Sequence, residues 1–284
     1  MAATPFAASA PAPGLPPVCI FSKHMSQFAP AELGRRAKDI GFDGIDLTVR
    51  AKGHVLPDRA VEDMPKAVDE IRSHGLTVPM ITTDIKTAKD PAANKVLASA
   101  GKLGISYWKP GYESYGTEDV EVAVKRVRGV VKGLAALSAT HGIVAGLHNH
   151  SGSYFGAAVW DTRAVIHDLD PKWIGYYFDP GHATIEGGLA GWRIAQNMAT
   201  PRLKMVALKD FYWEKMPDGK WKHRWCPIGE GMVDWDRVFA SFAAAKFTGP
   251  MSLHLEYEAK DEQQAMARDL AFVKKRIAAA YGSA

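Results

Sequence analysis

The stretch Met205-Val-Ala-Leu-Lys-Asp-Phe-Tyr-Trp213 decides the architecture. Four apolar residues run straight into a lysine and an aspartate, the pattern of a buried strand where it emerges into a polar site. Two further stretches repeat it: Ala145-Gly-Leu-His-Asn-His150 upstream and Met251-Ser-Leu-His-Leu-Glu-Tyr-Glu258 downstream. All three carry their chemistry at the C-terminal end.

Working outward from these runs, strands are expected over 18–23, 44–49, 77–83, 105–109, 143–148, 174–179, 205–209 and 251–256. Helices are expected between and after them, over 30–40, 60–74, 91–103, 120–141, 158–169, 192–198, 235–245 and 263–280. Pro30 near the start and Gly41 past the end frame the first helix. Val120, Val124, Val127, Val131 and Leu134 form one apolar stripe, as do Met266, Leu270, Val273 and Ile277. Strand and helix alternate eight times, so the fold expected is α/β, a single (β/α)8 TIM barrel over 18–284. The rival, an open doubly wound sheet, calls for a glycine fingerprint after its first strand, and Phe21-Ser-Lys-His-Met-Ser26 has no glycine.

With 47% apolar and 23% charged residues, the 284-residue chain can bury a large core. Its 35 basic and 31 acidic residues leave a net charge of +4 without a Lys/Arg block, which argues against nucleic acid as a partner. No apolar run approaches the roughly 20 residues of a membrane span, so no membrane partner is expected either. Cys19 and Cys226 are read as core or free thiols, with a single bridge left open. Residues 1–17 are small, proline-rich and uncharged. They read either as a disordered tail or as the remnant of an export signal. The first reading goes with a cytoplasmic protein and the second with a periplasmic or exported one. The long segment Trp213 to Trp235 reads as a loop serving as lid or oligomer contact, which leaves a homo-oligomer open.

In a barrel of this kind the site is built at the C-terminal ends of the strands. The polar residues there are Lys23, His24, Asp46, Arg50, Lys109, His148, His150, Asp179, His182, Lys209, Asp210, His254, Glu256 and Glu258. Alternation puts His148 and His150 on one face, and likewise His254, Glu256 and Glu258. Carboxylates and imidazoles at one mouth suit a divalent metal or an acid/base pair. His74, His141, His167 and His223 fall on helices or in loops and are read as ordinary surface or core residues. Glu258 reads equally well as a solvated rim residue, and Asp210 as an anchor for the loop behind it. For His148, Asp179, Lys209 and Glu256 the functional reading prevails, because four polar groups ending four apolar strands would each cost several kcal/mol if buried without purpose.

The succession Gly41-Phe-Asp-Gly-Ile-Asp46, Leu147-His-Asn-His150, Phe178-Asp-Pro-Gly-His182, Ala207-Leu-Lys-Asp210, Ile228-Gly-Glu-Gly231 and Leu255-Glu-Tyr-Glu258 resembles the xylose isomerase-like superfamily of TIM barrels, the sugar phosphate isomerase/epimerase group. The resemblance implies a divalent metal, Mn2+, Mg2+ or Zn2+, and proton abstraction beside a carbonyl or carbinol of a sugar, keto-sugar or cyclitol. By motif, Asp179 and Glu256 match metal ligands, while His148 stands where a glutamate is usual and Ala207 where a histidine is usual. The preferred outcome is a rearranged shell of Asp179, Glu256, His148 and His150; the other is chemistry by Lys209, His148 and Glu256 without metal. The catalytic candidates are therefore Glu256, Lys209 and His148. Substrate contacts are expected from His182, Lys109, Asp210, His254, Arg50 and Trp213, with Trp108 and Trp225 as further flat surfaces for a sugar ring. Elimination from a keto-sugar or glycoside, by a lyase or dehydratase, is the runner-up. Ala207 also admits a sugar-binding barrel without chemistry, and the shared barrel admits an abasic-site endonuclease.

Overall fold

Strand alternation sends every second side chain into a barrel's lumen and the others toward its helices. Along β7 (Leu203–Leu208), Val206 and Leu208 join the apolar layer beneath the helices, whereas Met205 and Ala207 join a small inner cluster with Met80 and Tyr177. The same split recurs along β6 (Ile174–Phe178), where Tyr177 faces inward and Tyr176 and Phe178 pack outward. The computed structural model, which describes residues 14–282, joins these strands to six others. They are β1 (Val18–Phe21), β2 (Gly44–Val49), β3 (Thr77–Thr83), β4 (Tyr107–Lys109), β5 (Val144–His148) and, after a two-stranded hairpin, β10 (Met251–Leu253). All pair in parallel, in the ring order β1-β2-β3-β4-β5-β6-β7-β10, and β10 closes onto β1 through Val18, Cys19 and Ile20. The closed ring settles against the open sheet.

The outer shell holds α1 (Pro30–Ile40), α2 (Ala60–Ser73), α3 (Ala93–Lys102), α4 (Val120–His141), α5 (Trp160–Ile166), α6 (Pro180–Gly187), α7 (Gly191–Ala199), α8 (Trp235–Ala244) and α9 (Glu262–Tyr281). Val127, Val131 and Leu134 of α4 and Met266, Leu270, Val273 and Ile277 of α9 are buried as their spacing predicts, but Val120 is exposed. Trp108 packs outward and donates from Nε1 to Ser138 Oγ of α4 at 2.9 Å, so it is a helix anchor and not a sugar platform. No helix among the described residues is long and apolar enough to cross a membrane. Both cysteines are free and buried. Of the proline-rich segment, residues 1–13 lie outside the described residues. Leu15 packs on the core, Pro16 is buried, and the Pro17 carbonyl accepts from the Met251 amide at 2.9 Å.

Three local expectations need correction. The first and last strands stop at Phe21 and Leu253, so His24 sits on a single 3-10 turn (Ser22–Met25) and His254 and Glu256 lie beyond the ladder. His182 belongs to α6, a short helix started by the Asp179 side chain as N-cap and Pro180 behind it. The loop after β7 contains an antiparallel hairpin, β8 (Asp210–Lys215) and β9 (Trp221–Cys226).

Asp210 fixes that hairpin at its root. Its Oδ2 accepts from the amides of Gly229 and Gly231 and from Trp235 Nε1, and its Oδ1 from the amides of Phe211 and Val233. A Cβ on Gly231 would stand 2.1 Å from Asp210 Oδ1, so the close approach needs glycine there. Asp210 is thus a loop anchor and not the substrate contact expected of it. Asp210→Asn turns an amide toward several N–H donors and is expected to destabilise the fold by about 2–3 kcal/mol in urea unfolding; an unchanged midpoint would contradict the anchoring role.

Candidate active site

The centre of the barrel mouth is a buried ion pair: Lys209 Nζ lies 3.2 Å from Asp179 Oδ2, and both side chains are almost wholly out of water. Asp179 also accepts from His148 Nε2 at 3.2 Å and from the His182 amide at 2.9 Å. Its backbone is clamped on both sides by the Asn149 amide group, at 2.7 and 2.9 Å. Burial works to raise the Asp179 pKa, but Lys209, His182 and the His148 hydrogen bond together outweigh it and hold the carboxyl well below its usual range.

His148 is fully engaged. The Tyr112 hydroxyl, kept protonated by burial, donates to Nδ1 at 2.7 Å, so Nε2–H points to Asp179. Its ring stacks on Tyr177 at 4.6 Å. Burial outweighs the neighbouring Asp179 and lowers the His148 pKa to about 3, and the one lone pair of the neutral ring, on Nδ1, is taken up by the Tyr112 hydroxyl. His148 is a brace for Asp179, a correction to its expected role as base.

A second hydrogen-bonded chain crosses the lumen below. Asp46 accepts from Thr82, from Ser252 and from the Tyr177 hydroxyl, at 2.8, 2.8 and 3.3 Å. Burial raises the Asp46 pKa to about 6 against these hydrogen bonds. With its proton spent on Asp46, the Tyr177 oxygen accepts from His254 Nε2 at 3.2 Å. That leaves His254 Nδ1 a bare lone pair, buried and unpartnered. It faces Glu256 Oε1 at 3.9 Å, as does the buried, unpartnered Nε2 of His24. Glu256 is partly open to solvent and takes Lys23 Nζ on Oε2 at 3.0 Å. Burial opposes ionisation of Glu256, but Lys209, Lys23 and His24 overcome it and lower its pKa.

Lys109 ends β4 with its ammonium 3.5 Å over the Tyr112 ring and, among the described residues, no ion pair. Burial, only partly offset by Asp84, lowers its pKa to about 7. His182 and His150 lie with rings 3.9 Å apart; Ser151 holds His182 Nδ1, while His182 Nε2 is buried and unpartnered. Arg50 reaches over Phe21 toward Asp84. Trp225, not Trp213, faces this ground, with Lys209 Nζ 4.9 Å above its ring and His182 against its edge. Trp213 is on the outer part of the hairpin and partly exposed. Tyr112, Tyr177 and Ser151, absent from the expectations, hold the imidazoles in place.

The family model for the xylose isomerase-like TIM barrel matches residues 35–276. The chain belongs to the xylose isomerase-like TIM barrel family. No match was found among curated proteins. Among solved structures, a 3-keto-D-glucoside 4-epimerase from E. coli is similar at 16% identity, with 92% of this chain and 99% of that one covered and a TM-score of 0.72. An L-ribulose 3-epimerase aligns at 16% identity over 95% and 97% of the two chains, also with a TM-score of 0.72. A family member from Mycobacterium smegmatis in complex with magnesium aligns at 17% identity over 93% and 97%, with a TM-score of 0.67. At these identities the likeness is one of fold.

For a xylose isomerase-like barrel, the expected metal positions here do not fit an ion. Asp179 already spends Oδ2 on Lys209 and His148 and Oδ1 on the His182 amide. Ala207 offers no donor and lies in the apolar inner cluster. His150 Nδ1 is turned to the Ser151 carbonyl. Asp179, His148, His150 and Glu256 therefore do not converge as a shell. The one group of three potential ligands that closes to within 4.8 Å among the described residues is His24, His254 and Glu256.

Removing the Asp179 charge strands Lys209 in a buried site. Asp179→Asn is expected to cost about 3–5 kcal/mol in chemical unfolding; a loss below 1 kcal/mol would mean that the pair does not hold the mouth together.

Proposed function

We propose that this chain is a sugar epimerase that inverts a carbinol carbon next to a carbonyl, with Glu256 and Lys109 as the two proton carriers. One observation carries the reading. Strands β4 and β10 stand four places apart in a ring of eight, so Lys109 and Glu256 approach a bound sugar from opposite walls. Inversion needs a proton removed from one face and returned to the other, whereas a 1,2-shift can be run by a single base on one face.

In the forward sense the ionised Glu256 takes the C–H proton and the electron pair moves into the adjoining carbonyl, making an enolate. The developing oxygen charge is met by Lys209, whose field reaches Glu256, Lys109 and Asp179 alike. The Lys109 ammonium then delivers a proton to the opposite face of the same carbon. Exchange with water restores Glu256 and Lys109 before the next turnover. His182 Nε2, His150 and Arg50 are placed to hold hydroxyls, and Trp225 offers a ring face. A divalent metal can serve as electrophile in barrels of this family, but the family-position donors do not accept one here, and no step is routed through it. The epimerase titles of the similar solved structures support a keto-sugar or 3-keto-glycoside as substrate class.

The test is deuterium wash-in from D2O into both epimers of a panel of ketoses and 3-keto-glycosides. Glu256→Gln and Lys109→Met are each expected to lower interconversion by about 10²–10⁴-fold. Each should still exchange the one epimer whose C–H faces the remaining carrier. Loss of exchange from both epimers in both variants, or interconversion at the wild-type rate, would overturn the two-wall scheme.

The pH dependence follows from the same pair. Activity needs one proton shared between Glu256 and Lys109, so kcat/KM is expected to fall about tenfold per pH unit above about 7, where Lys109 deprotonates. The fall must be the same in both reaction directions; a profile rising through pH 7 would contradict it.

A further inference from the structure

We propose that His24, His254 and Glu256 form a divalent-metal site of the His2Glu type, which keeps Glu256 from the expected family shell and replaces its other members with two histidines outside it. The geometry comes from ring closure. Because β1 pairs with β10, the turn after β1 brings His24 beside His254 and Glu256, which follow β10. The three ligand atoms lie within 4.8 Å of one another, and both nitrogens stand 3.9 Å from the same oxygen, Glu256 Oε1. Four-coordinate zinc at about 2.1 Å from each ligand sets neighbouring ligands about 3.4 Å apart, so the two gaps to Glu256 Oε1 close by roughly half an ångström each. Glu256, the most exposed of the three, can supply that movement.

Two independent features point to a cation rather than to an ordinary polar cluster. His24 Nε2 and His254 Nδ1 are buried without any hydrogen-bond partner, on side chains 8% and 5% exposed. An unmade buried hydrogen bond costs about 1–3 kcal/mol, and a cation bound between the two nitrogens and Glu256 Oε1 would satisfy both at once. His254 is also held as metal-bound histidines usually are. Its Nε2–H is committed to Tyr177 and through it to Asp46, which fixes the tautomer with the Nδ1 lone pair outward. Two imidazoles and a carboxylate suit Zn2+, Co2+ or Mn2+ better than Mg2+. Lys23 Nζ bonds both Glu256 oxygens, Oε2 at 3.0 Å and Oε1 at 3.3 Å, in a pair that is 45% exposed on the lysine side, and an ion at Oε1 would displace it. Ligation through Oε1 leaves Oε2 toward the mouth. The inference shares Glu256 with the proposed reaction but is read by metal binding alone, so its test and the deuterium test can fail separately.

The experiment uses untagged, chelator-treated full-length protein titrated with Co2+, read by visible absorption, with Zn2+ as competitor. The expected result is one ion per chain. His24→Gln and His254→Gln should each weaken binding at least tenfold. Tyr177→Phe should weaken it about 10- to 100-fold through loss of the outer hydrogen bond. Ala207→Ser, which alters only the family position, should leave the affinity within twofold. His24→Gln, at the rim of the fold, guards against variants that fail because they do not fold, and circular dichroism of each variant checks this. No binding by the wild type, or affinity unchanged in both histidine variants, overturns the site; failure of the deuterium test does not affect it.

Discussion

The ion pair between Lys209 and Asp179 is the constraint on which the mouth of this barrel depends. Two opposite charges removed from water are tolerable only when nearly every remaining hydrogen-bonding direction is filled. Asp179 meets that demand by drawing in one element after another: the start of α6 through the His182 amide, the end of β5 through His148, and the segment after β5 through Asn149. Gly181 belongs to the same arrangement, since a Cβ there would stand 2.8 Å from the Lys209 carbonyl. Satisfying one charge therefore sets the positions of three consecutive βα connections.

Chemical roles divide according to how much of each side chain is already spent. His148 has both nitrogens occupied and Asp210 both oxygens, so neither has capacity left for a substrate. Lys109, Glu256, His182 and His254 each keep an atom uncommitted or only loosely held. These residues stand on several walls of the cavity, as expected of a fold whose site is assembled from separate strands.

The barrel was legible because its strands are uninterrupted apolar runs and its long helices carry three-four stripes. Asp179 and Lys209 each follow such a run, which is why the sequence placed them at the barrel mouth. What escaped was information carried by the ring and not by the chain. Nothing local to Phe21-Ser-Lys-His24 says that His254 lies beside it; the closure of β1 on β10 does. The helix from Pro180 is short, but Asp-Pro at its head was a readable cap-and-start signal. The hairpin hid in a stretch crowded with Trp and Lys, although Pro217-Asp-Gly219 between aromatic alternations is turn chemistry. Sequence reading named both Trp213 and Trp225, and only the cross-strand register of the hairpin tells which of them faces the mouth.

The belt formed by Asp46, Thr82, Tyr177 and Ser252 lies beneath the site, with Met80 and Met205 below it. It makes the barrel a cup with a sealed base. Asp46, Ser252, Tyr177, Met80 and Met205 are all buried, so among the described residues this layer is closed to bulk water. Under the proposed epimerase reading, ligand and the protons of Glu256 and Lys109 pass through the same open mouth, so replenishment of those protons waits on the ligand's departure.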